Sequence, residues 1–367
     1  MSLEFLKPVY ARKGPYASVV LETNREAVDD AAHAIDLRWR GLRTDLASAG
    51  ADEPTLEALD AVVGRPSHEG GEQGQVVIAE SGDVLLDERV YRHPGSSVAH
   101  WGPIPDVMPI LRSRTTQLSY LVVRADSRGA DVEVRGPARD YDVEVEGAER
   151  PLHKVREGGW SHRKIQQRAE NTARQNAKLV AEQVNDLAGK TRAELVVLAG
   201  DPHAVSDVFD ELGKGTRELV KELHTGSRHS GAEPVDTEVA ELVADHVRAT
   251  DDDLLDTFRA ERGGGERAAD GLDATVESLR ESRVDTLFVE DDGTEDRESG
   301  IRLWVGRSDP LALARRPGDL EAMGVGDGFQ AAAVPAIVRA AAGSDARLAL
   351  VEPGALGGDG IAALLRY

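Results

Sequence analysis

The stretch from His162 to Leu187 constrains this chain more than any other. Ile165, Ala169, Ala173, Ala177, Val180, Val184 and Leu187 recur at spacings of three and four, the period of an amphipathic helix with one apolar stripe. Arg163, Lys164, Arg168, Arg174 and Lys178 fall largely off that stripe. The helix must therefore be covered on one side, and it presents cations on the other.

Charge sharpens the point. The chain has 367 residues and a formal net charge of -22, which by itself disfavours a polyanionic partner, since phosphate neutralisation by Lys and Arg supplies most such affinity. Between His153 and Lys178, however, seven basic residues (Lys154, Arg156, Arg163, Lys164, Arg168, Arg174 and Lys178) face two acidic ones (Glu157 and Glu170), a local net of +5 that leaves -27 on the other 341 residues. A basic arm on an acidic body is steered toward polyanions at its tip while the body is repelled. A solvated helix face is the alternative that charge alone leaves open.

Length and pattern point to several domains. A β-rich run at Tyr16–Leu21, an amphipathic helix over Arg25–Ala49, a second helix after Ala51–Pro54 and a hairpin of Gln75–Glu80 with Val84–Arg89 make up an opening segment. His93–Pro109, punctuated by proline, reads as a surface connection. The next segment has strands at Leu118–Ala125, Asp131–Arg135 and Asp142–Glu146, the long helix, a β run at Glu194–Ala199, a helix at His203–Leu212, a short β run at Leu219–Leu223 and a helix at Val235–Val247. Thr250-Asp251-Asp252-Asp253 reads as the cap of a new helix. The last segment alternates helix Gly271–Glu281, strand Thr286–Glu290, helix Val334–Ala342, strand Leu348–Glu352, a glycine-rich loop at Gly354–Gly360 and a final strand Ile361–Tyr367, the pattern of a layered α/β domain. Boundaries at 112/113 and 248/249 give three domains: 1–112, 113–248 and 249–367.

The chain holds no cysteine, so disulfides and thiolate metal sites drop out. Met1–Lys13 lacks the apolar run of a signal peptide, and no stretch approaches the ~20 apolar residues of a membrane span. A cytoplasmic protein without a membrane partner is the expectation.

Several motifs fail on spacing. Gly189-Lys190-Thr191 lacks the first glycine of a phosphate-binding loop, because position 184 is valine. Gly324–Gly328 has the wrong spacing for a dinucleotide site, Asp291–Glu298 lacks the ligand alternation of an EF-hand, and His224 and His229 have no carboxylate at ligand spacing. No nucleophile and base stand out as a pair. We expect no metal, no cofactor and no catalytic residue.

What remains is the loop from His153 to His162, which feeds the basic helix. Gly158 and Gly159 allow backbone angles closed to other residues, and Trp160 follows them beside His162, Arg163 and Lys164. An exposed aromatic among cations suits stacking on a nucleobase, at ~1–3 kcal/mol per stack. The same tryptophan packed onto its own domain is the other reading. The candidate RNA-binding set is Lys154, Arg156, Gly158, Gly159, Trp160, His162, Arg163, Lys164, Arg168, Arg174 and Lys178.

At this loop the sequence resembles domain two of the archaeo-eukaryotic class-I release factor and Pelota superfamily, whose catalytic members place a Gly-Gly-Gln loop before a long basic helix. Here Gly158-Gly159-Trp160-Ser161 precedes Ile165-Gln166-Gln167-Arg168-Ala169-Glu170-Asn171. Leu195–Gly200 and the helix Val205–Leu212 follow in the family's order. Gly271–Leu279 with Val284–Val289, and the closing Gly360-Ile361-Ala362-Ala363-Leu364-Leu365-Arg366-Tyr367, are similar to the family's third domain. The likeness covers about 113–367 and is greatest to the bacterial, actinobacterial members related to Balon-type ribosome hibernation factors. Residues 1–112 carry no decoding motif, so stop-codon reading is not implied.

The resemblance implies an α/β (α+β) chain of three release-factor-like domains, the middle one with a mixed sheet and the long basic helix, the last a layered α/β domain. It implies a ribosome-binding factor that occupies the A site and peptidyl-transferase centre in hibernation or rescue, with ribosomal RNA as partner and an elongation-factor-type GTPase as a second. Tryptophan offers one N–H donor and no acceptor, so it cannot copy the glutamine amide, and a non-enzymatic role is expected. Catalytic peptide release, or a stress-associated protein that no longer binds ribosomes, are the alternatives.

Overall fold

The computed structural model describes residues 1–23, 31–65, 74–90, 96–115, 118–136, 140–147, 159–223, 233–291 and 300–367, with backbone alone for 31, 115, 159–170, 233–237, 244 and 248. After a short 3-10 turn at Glu4–Leu6 come α1 (Lys7–Tyr10), β1 (Tyr16–Glu22), α2 (Ala31–Ser48), α3 (Glu53–Asp60), β2 (Gly74–Glu80), β3 (Asp83–Val90), β4 (Val98–Gly102) and α4 (Met108–Thr115). The strands form one antiparallel sheet in the order β3-β2-β1-β4. Asp52 caps α3 by accepting from the Thr55 N–H at 3.0 Å, with Pro54 in the first turn. Ser81 and Gly82 both have positive φ, which a two-residue type I′ hairpin requires. The stretch expected to be a surface connection, 93–109, instead holds β4 and the start of α4. Val98 to Gly102 is a short edge strand against β1, too brief and too closely flanked by proline to announce itself.

The middle of the chain contains β5 (Tyr120–Ala125), β6 (Gly129–Arg135), β7 (Tyr141–Glu146), α5 (Gly159–Thr191), β8 (Leu195–Gly200), α6 (Pro202–Glu211), α7 (Lys214–Glu218), β9 (Val220–Glu222) and α8 (Glu233–Gly264). Its mixed sheet runs β7-β6-β5-β8-β9, with β5, β8 and β9 parallel and the other pairs antiparallel. Leu121, Val123, Val196 and Leu198 pack under α5 and α6, while Val122, Leu195 and Val197 meet Val239 and its neighbours on α8. Both faces are covered, so β8 is a continuous apolar run rather than an alternating one. At Gly200, with φ of 124°, a Cβ would sit 2.0 Å from the Ala125 carbonyl oxygen, so only glycine fits.

α8 corrects one expectation. Thr250–Asp253 does not open a new helix but lies within α8, and the Thr250 hydroxyl donates to the His246 carbonyl one turn back, at 2.9 Å. Asp252 and Asp253 face solvent, and Leu255 and Phe258 resume the buried stripe.

The last segment comprises β10 (Ala268–Asp270), α9 (Leu272–Arg280), β11 (Val284–Glu290), β12 (Arg302–Gly306), β13 (Leu313–Ala314), α10 (Pro317–Ala322), β14 (Gly328–Ala332), α11 (Ala333–Gly343), β15 (Arg347–Val351) and β16 (Ile361–Leu365). One sheet runs β10-β16-β11-β15, with β11 and β15 parallel, and a second runs β13-β12-β14. The end of α8 covers one face of the larger sheet, where Phe258 and Phe288 lie 5.5 Å apart between ring centroids. α9 and α11 pack on the other face.

The chain resolves into two compact units, Met1–Thr115 with Asp251–Tyr367, and Thr116–Thr250. This departs from three separate domains at 1–112, 113–248 and 249–367, because the first and last segments share one core. Val20, Val76, Ile78 and Leu111 of the first segment cluster with Leu303, Val305 and Ile337 of the last, while Val19, Leu21 and Val77 turn to α2 and α3. Arg112 clamps Asp291 with Nε at 2.8 Å and Nη2 at 2.7 Å. The fold is mixed α and β, as the alternating pattern implies.

Candidate nucleic-acid interface

α5 organises the candidate site. At 33 residues it is about 50 Å long, far more than its unit needs to cover a five-stranded sheet. Ala177, Val180, Val184 and Leu187 are buried against β5, β6 and α6, as the spacing predicts, with Ala173 half-buried. Asn176 is fully buried on the same side, and its amide donates to the Ser127 carbonyl at 3.0 Å, tying the helix to the β5–β6 turn.

The opposite face is polar and open. Arg174 and Lys178 are exposed one turn apart, and neither is paired with a carboxylate among the described residues. By contrast, Lys190 near the helix end is already neutralised by Asp186 at 2.7 Å. Gln175 and Leu179 are exposed beside them, Leu179 at 47%. Leu179 lies outside the expected interface residues, although a leucine off a regular apolar stripe is a signal that sequence carries. Two unpaired cations flanking an aliphatic side chain can hold phosphates while the leucine lies against a sugar or base.

Of the other candidates, Gly159 and Trp160 lie in the first turn of α5 rather than in a loop before it, and His162, Arg163, Lys164 and Arg168 continue the same helix in backbone. Lys154, Arg156 and Gly158 lie outside the described residues. The structure thus sets eight of the eleven candidates on one helix, with side-chain placement given for Arg174 and Lys178. Among the described residues, no group of three or more His, Asp or Glu is placed to hold a metal ion, and no helix is long and apolar enough to cross a membrane.

The candidate site is thus a mixed five-stranded sheet carrying a long helix on whose open side Arg174 and Lys178 are exposed. Residues 119–264 match the family model for the bacterial archaeo-eukaryotic release factor family 2. Over its whole length the chain is similar to two uncharacterized proteins of Mycobacterium tuberculosis, one from strain CDC 1551 / Oshkosh and one from strain H37Rv. Each is 28% identical over 375 residues, covering 100% of this chain and 97% of the relative. Among solved structures, it is similar to archaeal Pelota in a model of ribosome-bound Pelota and ABCE1 (15% identity, TM-score 0.43, 100% and 94% of the two chains). It is also similar to Dom34 of S. cerevisiae, a translation termination-like factor (10% identity, TM-score 0.40, 99% and 92%).

Proposed function

We propose that this protein is a ribosome-binding translation factor that holds an idle or stalled ribosome, in hibernation or rescue, by occupying the A site and peptidyl-transferase centre without hydrolysing peptidyl-tRNA. The observation that carries the reading is the open side of α5, where Arg174 and Lys178 are exposed with no carboxylate partner among the described residues, on a helix whose segment matches a release-factor family. Gly158-Gly159-Trp160 stands where catalytic members carry Gly-Gly-Gln, and an indole cannot accept a hydrogen bond from an attacking water. Positioning of that water carries hydrolysis, so the basic helix binds while the tip leaves the ester intact. An elongation-factor-type GTPase as second partner belongs to the same proposal.

Co-sedimentation with purified 70S ribosomes across a salt series tests the reading. The wild type is expected to pellet with ribosomes at low salt, and a variant with Arg163, Lys164 and Arg168 changed to alanine to stay in the supernatant. Absence of binding at every salt concentration would overturn it. Release of labelled peptide from programmed ribosomes would overturn the non-hydrolytic part alone.

A further inference from the structure

In the unit formed by Met1–Thr115 and Asp251–Tyr367, a cavity of about 700 Å³ opens between the first and last segments. It lies at the carboxyl ends of the parallel strands β11 and β15, the edge of an α/β sheet where loops leave room for ligands. Its volume falls within the range of pockets that enclose a ligand or a pair of large side chains. Ile104, Met108, Val289, Val334 and Ile361 make much of its wall apolar, and Ile301 stands on the rim at 41% exposure.

The charges around it have one dominant sign. Asp106, Glu290, Asp291 and Asp359 line the cavity, against Arg112 and Arg302 among the described residues. Arg112 is committed to Asp291 by its bidentate contact. Glu290 is held ionised well below the usual carboxylate range, by backbone N–H groups of Gly354, Leu356 and Gly357. Those amides are the groups in the glycine-rich loop that would otherwise attract an anion, and a carboxylate already fills them. An anionic ligand, nucleic acid included, meets repulsion here.

We propose that this cavity is a docking site for a basic polypeptide segment that inserts one or two apolar side chains, its lysines or arginines meeting the carboxylates at the mouth. Apolar walls supply the anchor and the acidic surround selects the flanking charge. The site belongs to the unit that does not carry the basic face of α5, so it stands independently of the ribosomal reading.

Fluorescence anisotropy with the full-length protein tests it, using a dye-labelled heptapeptide Lys-Lys-Leu-Trp-Leu-Lys-Lys as probe. Saturable binding is expected, at least about tenfold tighter than for heptalysine and lost for Glu-Glu-Leu-Trp-Leu-Glu-Glu. Ile301→Ser, at an exposed position, is expected to weaken the probe about fivefold, and Val334→Trp, which fills the cavity, to abolish binding. Unaltered thermal melting will show that both variants are folded. Equal binding of heptalysine, equal binding of the acidic peptide, displacement of the probe by an RNA oligonucleotide from wild type and Val334→Trp alike, or unchanged affinity in both folded variants would each overturn the proposal.

Discussion

If the first and last segments share one core, breaking a contact between them must destabilise both together, and the Arg112–Asp291 pair is the place to do it. Arg112 retains 20% of its side-chain exposure and Asp291 14%, so Arg112→Met leaves a mostly buried carboxylate without its guanidinium. Removing one partner of a fully buried pair costs about 3–5 kcal/mol. Residual exposure lets water recover part of this, so about 2–3 kcal/mol is expected. For a unit of about 230 residues, about 2–4 °C of melting temperature accompanies each kcal/mol, which places the shift at about 5–10 °C. Calorimetry would read the shift, and native-state hydrogen exchange would locate it. Amides of β1 and β2 should lose protection in step with those of β11 and β15, while β5 and β8 keep theirs. The double variant Arg112→Met with Asp291→Leu should recover much of the loss, since neither charge is then stranded. Loss of protection in the first segment alone, or a destabilisation below about 0.5 kcal/mol, would refute the shared core.

Three further outcomes follow from local geometry. Gly200→Ala places a methyl group against the Ala125 carbonyl at a positive φ, and should destabilise the Thr116–Thr250 unit by about 2 kcal/mol or more, read as a lowered denaturation midpoint of that unit. Ser282 closes α9 in the left-handed region, with Arg283 N–H donating to the Ser278 carbonyl at 2.9 Å. Ser282→Gly should therefore stabilise by about 0.5–1 kcal/mol in thermal melting, the relief of strain exceeding glycine's extra chain entropy. Glu290 has its folded-state pKa lowered by backbone N–H groups, first that of Gly354. Its stabilising contribution is thus present above the unfolded value of about 4.3 and is lost as pH falls through the lower folded value. Glu290→Gln should flatten that acid limb in a denaturation series against pH, and an unchanged limb would refute the assignment.

The parts of the fold that were legible in sequence are those with one clear period. The stripe on α5 from Ala173 to Leu187 sits where the spacing puts it, because nothing else in the segment competes with the 3.6-residue repeat. Thr250–Asp253 has the composition of a cap, a cluster of short acids, yet lies inside α8. The buried Leu255 and Phe258 continuing the face of Val239 and Val247 decide for an unbroken helix. The sheet of β12, β13 and β14 escaped notice, since its strands have two to five residues each and are separated by proline and glycine. The shared core left a trace that could have been used: Val19-Val20-Leu21 and Val76-Val77-Ile78 are unbroken apolar runs, and a strand apolar on both sides needs a layer on both. At the candidate site, residue types were legible but helix onset was not. Gly158-Gly159 has loop composition, yet α5 begins at Gly159 and takes Trp160 into its first turn.

The charge distribution gives that helix its purpose within the proposed function. A chain with -22 overall would be turned away by ribosomal RNA on approach, and its +5 stretch reverses this locally. Screening at physiological salt confines such fields to about 8 Å, shorter than α5 by about sixfold at 1.5 Å per residue. Under the proposed function, RNA therefore senses the basic stretch locally, and charge selects which part of the chain makes contact. The carboxylates lining the cavity between the first and last segments suit basic polypeptide instead, as the separate proposal for that site holds. Under the two proposals, one charge pattern separates two kinds of contact: RNA along the outer side of α5, and basic polypeptide at the carboxyl ends of β11 and β15.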